Sequence, residues 1–173
     1  FFYGDARRML RRNADERYDL VIVDAFGGDS VPFHLLTPEA LKEYFGRMNE
    51  GGLVLFHVSN RFFRLEPVIA ASAAATDRFA LRRVTDGKPF GIPSFWVAVG
   101  AADATEVKLL SKGWTPIRSA EITKGVRWTD ESSSLLSVMD LTRMRAGIRD
   151  GVLSFLDSLK KVPLDWAKRL GVH

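Results

Sequence analysis

The sequence has no cysteine, three histidines, and no apolar run near the ~20 residues that a membrane-spanning helix needs. Each shortage removes a class of chemistry. Without cysteine there are no disulfides, thiol nucleophiles or thiolate metal sites. With only His34, His57 and His173 available, a histidine-based metal centre is not expected, and no metal is assigned. The lack of cysteine suits a reducing compartment, and the expectation is a cytoplasmic domain. The chain opens on Phe1-Phe2-Tyr3 with no charged leader and no signal-type apolar stretch, so it reads as a cut from something longer. Internal repeats and low-complexity linkers are also missing.

What remains is a globular composition: 173 residues, 46% apolar and 27% charged, enough for one core plus an appendage. The net charge of +4 is unevenly placed. Between Leu141 and His173 seven basic residues stand against three acidic ones, a surplus equal to that of the whole chain. The body, 1–140, is therefore neutral, and the tail, 141–173, is basic. Nucleic-acid binding calls for basic residues interleaved with aromatics across a face, which the body does not show.

The hydrophobic pattern gives the element order. A helix is expected over Arg7–Asn13. Tyr18–Asp24 is a near-continuous apolar run, the pattern of a parallel strand covered on both faces. Thr37-Pro38-Glu39 is a helix start, and Leu41, Tyr44, Phe45 and Met48 continue it as one apolar stripe, with Gly51-Gly52 as the stop. Leu53–Val58 is a second buried strand, Leu65–Phe79 an Ala-rich helix, and Leu81–Val84 and Phe95–Val99 two more strands. Glu106–Leu110 is a short helix candidate. Trp114–Pro116 and Val126–Asp130 read as irregular or extended. Strands alternating with helices predict an α/β fold with a mostly parallel sheet, finished by an antiparallel element. In the tail, Val152, Phe155, Leu156 and Leu159 form a helical stripe.

In an open α/β sheet, ligands bind at the carboxyl ends of parallel strands. Three expected strand ends carry polar residues: Gly4-Asp5, Asp24 with the Gly27-Gly28-Asp29 loop, and His57-Val58-Ser59-Asn60. Asp24 directly follows a buried run, where an unpaired carboxylate is costly, and this points to function. Asp5 fits a turn or helix N-cap as well as a site. Asp29 fits a solvated turn, His57 a hydrogen-bonded core histidine, and Asn60 a turn cap. A carboxylate at a pocket mouth can hold a cationic amine and accept its proton as the amine attacks an electrophilic carbon.

Gly4-Asp5-Ala6-Arg7, Tyr18 to Phe26, Pro32-Phe33-His34-Leu35-Leu36-Thr37, Gly51-Gly52, His57-Val58-Ser59-Asn60-Arg61 and Trp128-Thr129-Asp130-Glu131 together resemble the spermidine synthase-like proteins. These are polyamine aminopropyltransferases on the class I S-adenosylmethionine-dependent methyltransferase fold. The likeness is to the bacterial branch often fused behind a membrane-transporter-like region, and it covers residues 1 to about 139. It implies a Rossmann-like, methyltransferase-type sheet, N-terminally incomplete here, with a C-terminal helical tail. It implies that Gly4, Asp5 and Ala6 form the adenine-binding turn. Asp24 would orient and deprotonate the attacking amine, and Asp29, His57, Asn60 and Asp130 would serve substrate binding. The donor would be decarboxylated S-adenosylmethionine, with methylthioadenosine leaving; S-adenosylmethionine itself belongs to the alternative, a methyltransferase-like or noncatalytic binding module.

Two departures from the family stand out. Gly27 occupies the place of the second Asp of the spermidine synthases, with Asp29 two positions on. No G-x-G precedes an apolar strand, so the family's first strands and Gly-rich loop are expected ahead of Phe1. The strand Leu20–Val23 would then have an unpaired edge, covered by a second copy or by Phe1–Tyr3. The basic tail suits a membrane surface or, as expected here, packing on the body or a partner chain.

Overall fold

The computed structural model describes residues 3–26, 31–60, 63–88, 91, 93–118, 121–122, 126–141, 145, 149 and 153. The chain divides into two compact units, 1–139 and 140–173. The tail stripe from Val152 to Leu159 lies outside the described residues.

The first unit is an α/β structure around an open five-stranded sheet. Its elements are α1 (Ala6–Arg12), β1 (Tyr18–Val23), α2 (Pro38–Phe45), β2 (Met48–His57), α3 (Glu66–Ala74), β3 (Phe79–Thr85), β4 (Ser94–Gly100), α4 (Ala104–Ser111) and β5 (Thr115–Pro116). The sheet order is β1-β2-β4-β3-β5. Only β1 and β2 pair in parallel; β2 with β4, β4 with β3, and β3 with β5 are antiparallel. The sheet is therefore mixed, which corrects the expectation of a mostly parallel one. The cause is the link between β3 and β4. Residues 86–93 are too few for a crossover, so β4 returns as a hairpin partner and wedges between β2 and β3.

Local chemistry sets the boundaries. Thr37 caps α2, its hydroxyl accepting the Ala40 N–H at 3.1 Å, and Pro38 takes the first helical position. The helix ends at Phe45 with Gly46 as its C-cap, and Met48 already belongs to β2. The stop is thus earlier than Gly51-Gly52, which instead lies inside β2. Gly51 has φ +72°, and the β1–β2 register slips there, from Tyr18 opposite Met48 to Leu20 opposite Leu53. Gly is suited to that left-handed position. The Ala-rich helix also ends early, at Ala74, and Asp77 turns the chain into β3 with φ 54°.

The two sheet faces differ. Val23, Val54, Phe56, Val97 and Val99 point to one side, where Ala40, Leu41 and Tyr44 of α2 and Val68, Ile69 and Ala73 of α3 cover them in the main core. Fully burying a side chain such as Phe56 contributes roughly 1.5–3 kcal/mol. On the opposite face Phe79, Leu81 and Ala98 form a second, smaller cluster with Leu53, Leu55, Leu109 and Trp114. That cover stops short of β1, leaving Leu20 47% and Ile22 56% exposed. The expectation that this strand is covered on both faces is thereby corrected: β1 is an edge strand with one face packed. Tyr3 lies outside the sheet and is 93% exposed. No helix among the described residues is long and apolar enough to cross a membrane.

Candidate functional site

The parallel pair β1–β2 brings its carboxyl ends side by side. Val23 is in register with Phe56, so the next residues, Asp24 and His57, are neighbours. His57 Nδ1 lies 2.9 Å from Asp24 Oδ1. On its far side, His57 Nε2 lies 2.7 Å from Ser59 Oγ, which also accepts the Phe95 N–H at 3.0 Å. One face of the ring is covered from β4: His57 is in register with Trp96, and the two rings stack with centroids 4.5 Å apart and planes at 22°. Ser59 follows the end of β2 in a tight turn, the Asn60 N–H reaching the Val58 carbonyl at 2.6 Å, and its hydroxyl lies against the imidazole there.

Asp24 is not the buried carboxylate that its position after an apolar run suggested. Its side chain is 63% exposed, because β1 is the sheet edge and the strand run has ended. His57, by contrast, is half-buried. Among the described residues His57 is the hydrogen-bond partner of Asp24, and it engages Oδ1 alone.

A second set of charged groups surrounds Arg7 on α1. This guanidinium is buried, and it grips Asp130 with two bonds, 2.7 Å to Oδ1 and 2.8 Å to Oδ2. It also donates to Glu43 and to the His34 carbonyl, while Arg11 holds both oxygens of Glu43 from outside. Thr37 Oγ1 donates to Asp130 at 2.7 Å. The Arg7 bonds, followed by the Thr37 bond, hold the Asp130 carboxyl below its usual range against the opposing effect of burial. For Glu43, burial is the largest single influence and acts upward, but the bonds from Arg7 and Arg11 together outweigh it and lower the pKa. Asp130 also gives Arg7, from the other side, the largest push toward its charged form.

Asp5 belongs to this neighbourhood. It is the N-cap of α1: Oδ1 accepts the Arg8 N–H at 2.9 Å, and Oδ2 pairs with His34 Nε2 at 3.0 Å. The Arg8 amide is the main reason its carboxyl sits below the ordinary value. Gly4 precedes it with φ +136°, and Ala6 is the first helical residue.

The candidate residues therefore divide. Asp24 and His57 are joined directly. Asp5 and Asp130 sit in a chain of bonds through His34 and Arg7. Asn60 is buried and works as a clip, donating to the Phe26 carbonyl at 2.9 Å and accepting the Phe63 N–H at 3.0 Å, so it ties the segments after β1 and β2 together. Asp29 lies outside the described residues. Arg7, His34, Ser59 and Trp96 are the participants that residue patterns did not single out. A separate cleft of about 390 Å³, lined by Arg64, Pro67, Glu121, Val126, Ser137, Val138 and Met139, includes none of these residues. Among the described residues, no group of three or more His, Asp or Glu is placed to hold a metal ion.

No family model matches the chain, and no curated protein does.

Proposed function

We propose that this chain is a spermidine synthase-like transferase domain, moving an aminopropyl group from decarboxylated S-adenosylmethionine to an amine. The observation that carries the reading is Asp24: an exposed carboxylate at the carboxyl end of a parallel strand, with His57 engaging Oδ1 alone. Such a group binds an ammonium, takes its proton, and leaves the nitrogen lone pair to attack the carbon beside the sulfonium. The C–S bond breaks with its electrons going to sulfur, and methylthioadenosine departs.

The strand order supports a Rossmann-like, methyltransferase-type sheet. β1 stands at an edge, where the family's first strand would lie beside it. Asp5 supports the adenine role in part. Its carboxylate accepts from the backbone at the start of α1 and pairs with His34, yet more than a third of the side chain stays exposed to an adenine amino group. A second reading, a methyltransferase-like or noncatalytic binding module, is favoured by Gly27 at the place of the second Asp.

Incubation with decarboxylated S-adenosylmethionine and 1,4-diaminobutane, alongside S-adenosylmethionine with the same amine, separates the two. The first reading expects methylthioadenosine and an aminopropylated amine, with Asp24→Asn slowing transfer by ~10²-fold or more. Methyl transfer, or nucleoside binding without turnover, gives the case to the second.

A further inference from the structure

We infer that His57 is a positioning residue that aims and orients the Asp24 carboxylate for a cationic amine, through a one-way hydrogen-bond chain that starts at the Phe95 amide. The inference rests on the reading of Asp24 as the amine-binding group.

The direction of the chain follows from donor and acceptor capacity. The Phe95 amide can only donate, and Ser59 Oγ accepts it. An ionised Asp24 can only accept, so the proton between it and His57 belongs to Nδ1. In a neutral ring Nε2 then carries the lone pair, and the Ser59 hydroxyl donates into it. Every proton from Phe95 to Asp24 thus points the same way. Each link is also fixed in space. Phe95 belongs to β4, whose carbonyl accepts the Val58 N–H at 2.8 Å, and the stacked Trp96 sets the plane of the imidazole.

The consequence concerns an exposed side chain at a sheet edge. Unassisted, Asp24 would sample its rotamers in water, and each bound amine would have to order it. Held at Oδ1, the carboxylate presents Oδ2 in one direction, and that ordering is already done. The tautomer is the spectroscopic mark of this role, because an imidazole that merely fills space has no need of Nδ1–H.

The test uses the full chain with ¹⁵N-labelled histidine and ¹³C-labelled aspartate. At a pH where the ring is neutral, the nitrogen shifts of His57 should show Nδ1 protonated. Ser59→Ala should mix the two tautomers. Titration with 1,4-diaminobutane, followed at the Asp24 carboxyl carbon, should give a Kd weakened about tenfold in His57→Ala, as for loss of a bond to a charged group. His57→Asn, which keeps an N–H donor near the Nδ1 position, should stay within about threefold of wild type. An Nε2–H ring in wild type overturns the inference, as does His57→Ala binding the amine like wild type. So does a fluorophosphonate adduct on Ser59, which would make the same three residues a nucleophile, base and orienter. If wild type shows the Nδ1–H ring but binds no amine, the transferase reading falls, and with it the amine role of His57, while the hydrogen-bond chain itself stands.

Discussion

Asp130 and Asp24 are both held by nitrogen donors, and their fates differ. Asp130 meets the buried Arg7 through two parallel bonds and gains a third from Thr37. Asp24 meets one edge of an imidazole and is otherwise open to water. The first arrangement uses its charge up internally. It joins α1, the start of α2 and the Trp128-Thr129-Asp130 segment, whose Trp128 is itself buried in the main core. The second leaves a charge unspent at the end of a strand. An acid that already has its cation is a fastener; one with a lone pair to spare can take a substrate. The difference is decided by partners rather than by burial, since both side chains have substantial exposure.

The contrast can be broken most forcefully at Arg7. Arg7→Ala leaves Asp130 and Glu43 facing each other's region without their shared cation. Removing one partner of a buried pair costs about 3–5 kcal/mol, and the partial exposure of both acids argues for about 3. Urea unfolding monitored by Trp fluorescence would read the change; a loss below about 1 kcal/mol would show that the cluster fastens little.

Acid titration tests the same cluster without mutation. Asp130, Glu43 and Asp5 are all held below their ordinary values, so the unfolded chain binds more protons than the folded one as pH falls. Stability from these groups is fully present above about pH 5 and is lost as pH drops through about 4 and below. Asp130→Asn should flatten that acid limb, and an unchanged limb would remove Asp130 from the account.

Smaller effects sit at Asp5 and Asp24. Asp5→Ala removes the α1 cap and should cost about 1 kcal/mol in thermal unfolding. If the adenine role holds, calorimetry with methylthioadenosine should also show a loss of about 1–3 kcal/mol in binding. Cap loss with unchanged nucleoside affinity would reduce Asp5 to a structural part. Asp24→Asn should change stability least, within about 0.5 kcal/mol, because an exposed Asn can still accept from His57. A large drop in melting temperature there would make Asp24 a second fastener and erase the distinction.

Much of this was legible from neighbouring residues. The apolar run before Asp24 located a strand end, and Thr37-Pro38 located a helix start, because both signals act within one turn or one strand. Met48 misled, since an apolar residue at i+7 suits a helix and equally suits the first residue of a strand; Gly46 ended the turn sooner. The Arg7–Asp130 pair could not be read at all, because the partners are 123 positions apart. Nor could the bare face of β1 at Leu20 and Ile22, which depends on how far the second cluster reaches across the sheet. Ser59 was within reach, as the polar residue two positions after His57 at the end of the strand.

The wedge of β4 between β2 and β3 has a consequence for the order in which the protein can be made. On the ribosome β1 and β2 emerge before β3 and β4 and can pair at once, but the other side of β2 lacks its β4 partner until Ser94–Gly100 has been synthesised. Throughout that interval Val54 and Phe56 lie in a strand with a bare inner edge, open to any extended segment from another nascent chain. β4 then docks on β2 with β3 tethered to it through residues 86–93. Slow translation between the codons for His57 and Ser94 would lengthen the exposure, and misassembly should concentrate in that window.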